Sequence, residues 1–240
     1  MKSIKYYIRK THRYLGLFIG IQLLFWSVGG LYFSWTNIDK IHGDHLVNLP
    51  KNKIIIQKDL LSPNQALNSS QIDQSQIKSI VLESIDGITF YRIQRQDNSF
   101  ILVNARTGSV KNPMSKEEAT VLAQSIFIPN NTVKNVAYIT TENIKDHWQY
   151  RGGDLPAWAV TFDHPSNSVI YLSAEKRTFE KIRNNQWRIF DYLWMLHIMD
   201  FEEREDINNS ILRIFSILSL LTVFSGFILF YQSSRTIRKL

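Results

Sequence analysis

The chain has 240 residues, no cysteine, 28 basic and 21 acidic side chains, and a formal net charge of +7. Without cysteine there is no disulfide framework, no thiolate metal site and no thiol nucleophile. Residues 1–35 and 210–240 hold five and four cations with no acid, leaving 19 cations against all 21 acids between them, so the excess is topological and gives no nucleic-acid signal.

Residues 1–13 form a basic segment with Lys2, Lys5, Arg9, Lys10 and Arg13. Residues 14–35 follow with no formal charge over 22 positions, which at ~1.5 Å per residue reaches across a hydrocarbon layer of about 30 Å. A first transmembrane helix is predicted here, with its basic end in the cytoplasm and Tyr32 and Trp35 as an interfacial belt. The alternative is a cleaved signal peptide with Ser27-Val28-Gly29-Gly30 as its small-residue site. Apolar and aromatic residues continue past that site through Leu31, Tyr32 and Phe33.

Residues 36–60 read as a connector on the outer membrane surface, with no helix expected near Gly43. His42 and His45 beside Asp44 suit a Zn or Cu ion, or equally stand solvated in a loop. Residues 61–112 form a first folded unit. Ser62-Pro63 opens a short helix, Gln76–Leu82 alternates, and Thr89–Arg95 and Asn98–Asn104 form a hairpin.

Residues 113–184 repeat the plan. Ser115 and Glu118 make a capping box before KEEATVLAQSIF, and Trp158–Phe162 pairs with Val169–Ser173 across DHPSNS. Superposing Asn98 on Asn167 places Ile101 on Ile170 and Ala105 on Ala174, an offset of 69 residues. Chance likeness of two hairpins is the other reading of that offset.

Residues 185–209 hold an amphipathic helix with Phe190, Leu193, Trp194 and His197 on one face, suited to a membrane interface, followed by an acidic turn. Residues 210–231 are a second span and 232–240 a basic cytoplasmic tail with Arg235, Arg238 and Lys239. Both termini then lie inside and the central region outside, in a periplasm-like space. The predicted class is α+β, two transmembrane helices flanking an extracytoplasmic region of two helix-plus-hairpin units.

Candidate chemistry rests on few residues. His12 shares a helix face with Leu15, Gly16, Ile19, Leu23 and Trp26, and Gly16-x-x-x-Gly20 beside it lets another helix approach with a second ligand. Ser219, Thr222 and Gly226 form a small stripe on the second span, and packing alone also accounts for both stripes. Gln22, in the first span, should face another helix, for a hydrogen bond between helices or a role in conduction, and Arg213 can snorkel. His197, between aromatic rings, is either a haem iron ligand or a hydrogen-bonded structural residue. No zinc-protease, Walker, nucleophile-elbow or dinucleotide motif occurs, so soluble-type catalysis has no support.

Thr11-His12-Arg13-Tyr14-Leu15-Gly16-Leu17, the two helix-plus-hairpin modules, and Trp194-x-x-His197-x-x-Asp200 before a final span resemble the PepSY-associated transmembrane helix family. The resemblance implies an integral bacterial inner-membrane protein with periplasmic PepSY domains that bind or restrain a peptide, protease or sensor partner. Larger four-span relatives look like haem-containing reductases acting on ferric siderophores. By position, His12 and His197 would then be the ligands of haem b, metal-binding and cofactor-binding at once. With two spans, such chemistry requires a homodimer or a partner membrane subunit. Ile198 follows Leu196-His197 where the family commonly has glycine.

Overall fold

The computed structural model describes residues 3–49, 59–129 and 132–234. Lys2, residues 50–58 of the expected connector, and Arg235, Arg238 and Lys239 lie outside the described residues. The chain divides into two units, one made of Met1–Ile38 with Trp187–Leu240, the other of Asp39–Gln186. The class is α+β, with two long apolar helices and two four-stranded antiparallel sheets.

The first unit begins with α1 (Ile4–Trp35), whose uncharged run has no proline and satisfies its backbone internally. It ends where Thr36 turns extended and donates its N–H and its hydroxyl to Tyr32 O, at 3.0 and 2.7 Å.

In the second unit, Ile38–His42 forms a one-turn helix, α2, closed by Gly43 at φ 85°, and Asp44–Leu46 makes a 3-10 turn. Helix was not expected near Gly43. Here the glycine supplies the left-handed residue that ends one turn and starts the next. A Cβ at Gly43 would lie 2.9 Å from Ile182, so only glycine fits.

The segment is not a surface connector either. Ile41 is buried, Leu46 joins the core beside Met114, Ala119 and Ile182, and Val47 bridges to Phe127.

The first module runs from α3 (Pro63–Ser70) through β1 (Ile77–Ile85), β2 (Ile88–Arg95), β3 (Phe100–Asn104) and β4 (Val110–Lys111), in sheet order β1-β2-β3-β4. The second runs from α4 (Lys116–Ile126) through β5 (Val133–Ile139), β6 (Ala157–Phe162), β7 (Val169–Ser173) and β8 (Thr178–Arg183), in order β5-β6-β7-β8. Each expected hairpin is thus the centre of a four-stranded meander. β4 is only two residues long, and Lys134 in β5 and Glu180, Lys181 and Arg183 in β8 break the apolar alternation.

The modules match in detail. Both helices start with reciprocal capping boxes, Ser62 with Gln65 and Ser115 with Glu118. The N–H before each cap, Leu61 and Met114, donates to Ala105 O and Ala174 O at 2.8 and 2.7 Å. Tyr91 Oη and Trp158 Nε1, at equivalent positions on β2 and β6, donate back to Leu61 O and Met114 O at 2.6 and 2.7 Å. Asn98 and Asn167 hold the same left-handed turn position, φ 64° and 47°. Asn98 and Asn167, and Ala105 and Ala174, keep the 69-residue offset, whereas the caps Ser62 and Ser115 are 53 residues apart and Tyr91 and Trp158 are 67 apart.

Strand period 2 explains the cores. Ile170 and Leu172 of β7 face α4, while Val169 and Tyr171 face Tyr150 and Ile139 on the other side. Tyr91, Ile93 and Val103 pack instead under α3 with Ala66 and Leu67.

The chain completes the first unit with α5 (Asn185–Ile198) and α6 (Ser210–Ser233). α6 runs antiparallel to α1, since His12 meets Ser225 and Phe18 meets Phe215. By length and composition both helices are able to cross a membrane, and only 11% of the apolar stretch of each is buried by the rest of the chain. A core helix of a soluble protein would be mostly buried. Leu17, Leu24, Leu220 and Phe227 are exposed instead, which suggests insertion into lipid.

Candidate functional site

His12 sits on the α6-facing side of α1. Its Nδ1 lies 2.7 Å from Ser225 Oγ, and Ser225 Oγ–H donates to Thr222 O at 2.7 Å. A hydroxyl has one hydrogen to give. With that hydrogen on Thr222 O, Ser225 Oγ accepts from His12 Nδ1–H, and a neutral imidazole held this way carries its lone pair on Nε2. Gly226 makes room for the ring, since a Cβ there would stand 3.3 Å from His12 Cε1.

Of the small residues expected to serve packing, those of α6 do so within the chain. Ser219 and Thr222 are buried and Gly226 touches His12. Gly16 and Gly20 do not, because a Cβ at either would meet nothing within 4 Å.

Gln22 meets another helix as expected, and the helix is α5. The last four carbonyls of an α-helix have no partner inside it. In α5 each has one: Met199 N–H donates to Met195 O, Gln22 Nε2 to Leu196 O, Trp26 Nε1 to His197 O and Asn209 Nδ2 to Ile198 O, all at 2.9 Å. Trp26 and Asn209 were missed by sequence reasoning. Their signal was a buried helix end needing donors, which appears only once α5 is placed on α1.

His197 lies in an aromatic cage. Trp194 stacks on it at 6.2 Å, and Trp26 and Phe33 of α1 approach at 5.9 and 6.1 Å. Its Nδ1 is buried and has no hydrogen-bond partner among the described residues. Beside it, Trp26, Trp194, His197, Ile198, Leu212 and Ser216 line a cleft of about 390 Å³. Asp200 does not reach the imidazole. Its carboxylate accepts from the backbone N–H groups of Glu202, Glu203, Glu205 and Asp206, and partial burial opposes but does not outweigh these bonds, which lower its pKa. Asp191, buried, pairs with Arg204.

The structure does not bring His12 and His197 together. His197 packs against Trp26 and Phe33, so from His12 to that level α1 rises about 21 Å or more. The two histidines stand at two levels. Among the described residues no three His, Asp or Glu side chains gather as for a metal ion, and His42 and His45 belong to no such group.

Comparison of the chain with family models, curated proteins and solved structures gives no match.

The sheet unit has its own concavity. Cavities of about 360, 430 and 200 Å³ share Ile85, Asp86 and Arg177 in their linings and lie side by side along a groove between the β1–β2 tip and α4. Arg177 forms a fork with Glu118 at 3.0 and 2.6 Å. These hydrogen bonds, with that from Ser115 N–H, hold Glu118 at a pKa of about 2. Ile88, Val110 and Val121 leave exposed apolar surface on its walls.

At the seam between the sheets, Phe100 N–H donates to Glu175 Oε2 at 2.7 Å, and Lys176 Nζ lies 4.5 Å over the Phe100 ring. Lys176 also pairs with Asp154. Burial raises the pKa values of Glu83, Glu175 and Glu180 here.

Proposed function

We propose that the chain is an integral membrane protein of the PepSY type, anchored by α1 and α6, whose duplicated domain binds or restrains a segment of a peptide, protease or sensor partner. The single observation that carries this reading is the groove shared by Ile85, Asp86 and Arg177, with apolar walls and a satisfied Arg177–Glu118 floor. A groove of this kind suits a ligand segment with apolar anchors. The outer edge of β1 offers an added strand as a second mode.

The test is a photo-crosslinking residue at Val121 in the groove or at Val81, exposed on β1, in the membrane-embedded protein. A discrete adduct from Val121, lost in Val110→Arg, supports the groove. An adduct from Val81 alone assigns strand addition, and none from either removes the binding reading. The localisation that goes with this reading is a bacterial inner membrane with both termini cytoplasmic and the domain periplasmic. It predicts that a tag on the last residue resists a reagent unable to enter spheroplasts.

A second reading, favoured by the tautomer of His12, is a dimeric b-type haem electron carrier serving ferric siderophore or other periplasmic reduction. The donor chemistry would suit one haem-iron ligand at each level. Ser225 holds His12 Nδ1–H, the second contact that orients a ligating imidazole and leaves Nε2 as the ligating atom, and His197 has a buried nitrogen unclaimed beside a cleft. Bound haem would supply one-electron transfer, and any further iron ligand would come from another copy or subunit. Protein extracted from haem-replete cells should give a reduced-minus-oxidised b-type spectrum, lost in His12→Ala or His197→Ala. A colourless protein overturns this reading.

A further inference from the structure

The basic end of α1 is organised as more than a topology signal. Lys5, Arg9 and Arg13 recur every four residues, so they share one face, and all three are exposed, as is Lys10. No acid precedes Asp39 in the chain, and none follows Asp206. The opposite end of the helical unit carries Asp200, Glu202, Glu203, Glu205 and Asp206 on one turn. One end of the unit therefore attracts anions and the other repels them.

The row of cations continues down the helix into Gly16 and Gly20. Neither glycine is filled by the chain, since a Cβ at each meets nothing within 4 Å. A trough about 6 Å long lies between them along the axis, directly below the cations. Tyr6, Tyr7 and Tyr14, all exposed, surround the same end with rings suited to the headgroup level.

We propose that this face binds an anionic phospholipid, with the headgroup phosphate on Lys5, Arg9 and Arg13 and an acyl chain along Gly16 and Gly20. The assignment rests on the membrane reading of α1 and α6. A zwitterionic lipid offers the same chains and a phosphate neutralised by its own ammonium, so the cations select against it. A protein helix in the trough would leave the cations above it without anions.

The full chain, purified in mild detergent, is tested by native mass spectrometry with phosphatidylglycerol or phosphatidylcholine of identical acyl chains. Phosphatidylglycerol should be retained preferentially. Arg9→Gln with Arg13→Gln should reduce its retention about 25-fold, each cation near an anionic surface being worth a roughly five-fold preference, with phosphatidylcholine unchanged. Arg213→Gln, at the opposite end of the unit, should leave the preference intact, and Gly20→Leu should lower retention of both lipids. Equal binding of the two lipids by the unaltered chain overturns the proposal. So does an Arg213→Gln loss as large as that of the pair, an unchanged Gly20→Leu, or displacement by an equimolar amount of soluble glycerol phosphate. A chain that stays dispersed without detergent defeats the membrane reading itself, whereas equal lipid binding defeats only this proposal.

Discussion

His12 donates its Nδ1–H to Ser225 across the antiparallel pair of α1 and α6, because the only hydrogen of the Ser225 hydroxyl is already committed to Thr222 O. One contact therefore joins two long helices and places a proton on Nδ1 of the imidazole. In the neutral ring the lone pair is then on Nε2.

That tautomer is directly measurable. In ¹⁵N spectra of the detergent-solubilised chain, His12 should show a protonated Nδ1 and an unprotonated Nε2. Ser225→Ala should abolish this bias, and Ser225→Thr, which restores a hydroxyl, should recover it. An Nε2-protonated ring in the unaltered chain would contradict the assigned contact.

Asn209 closes two helices at once. Its Oδ1 accepts from Leu212 N–H at 2.8 Å to cap α6, and its Nδ2 donates to Ile198 O and Asp206 O. Asn209→Asp keeps the cap and loses the donor, while Asn209→Ala loses both. Thermal unfolding in detergent should rank the alanine variant below the aspartate variant, with a loss of about 1–3 kcal/mol for alanine.

Gly153 is required by Tyr150. A Cβ at Gly153 would stand 2.3 Å from Tyr150 Cζ, and the ring cannot retreat because it is fully buried, stacks on Tyr171 at 4.8 Å and donates to Asp154 O. Gly153→Ala should destabilise the sheet unit by about 1–3 kcal/mol through overpacking, read from denaturant unfolding. Gly87→Ala is strained only by its φ of 78° and has open space, so it should cost less.

Two opposed groups of carboxylates set the acid behaviour of the sheet unit. Glu83, Glu175 and Glu180 have folded-state pKa values raised above 4.5 by burial. Between those values and 4.5 the folded chain binds more protons than the unfolded one, so stability rises as pH falls. Glu118 has its folded value lowered to about 2 by Arg177, so its contribution is full above 4.5 and is lost as pH falls from 4.5 toward 2. Stability should therefore pass through a maximum near pH 4.5. Glu118→Gln should flatten the acid side of that maximum and Glu175→Gln the neutral side, as followed by denaturant midpoints across pH.

Sequence reasoning reached far where a signal is local. The capping residues Ser62 and Ser115 and the uncharged run from Tyr14 to Trp35 each depend on neighbours within one or two helical turns. The hairpins and their offset were legible for the same reason, since turn residues such as Asn98 and Asn167 announce themselves. The demand that Gln22 find a partner was legible too, because a desolvated amide is costly wherever it lies.

What the chain could not announce is which distant groups answer those local demands. That Leu46 belongs to a core, that Trp26 and Asn209 finish α5, that Gly226 rather than Gly16 and Gly20 takes the close approach, and that Ser225 sets the tautomer of His12 all follow from contacts between residues far apart in sequence. Sequence determined the helices and hairpins and their hydropathy, because propensity, capping and hydropathy act along the chain. Tertiary structure decided the pairings, because a free hydrogen-bonding group specifies the chemistry of its partner and not its position.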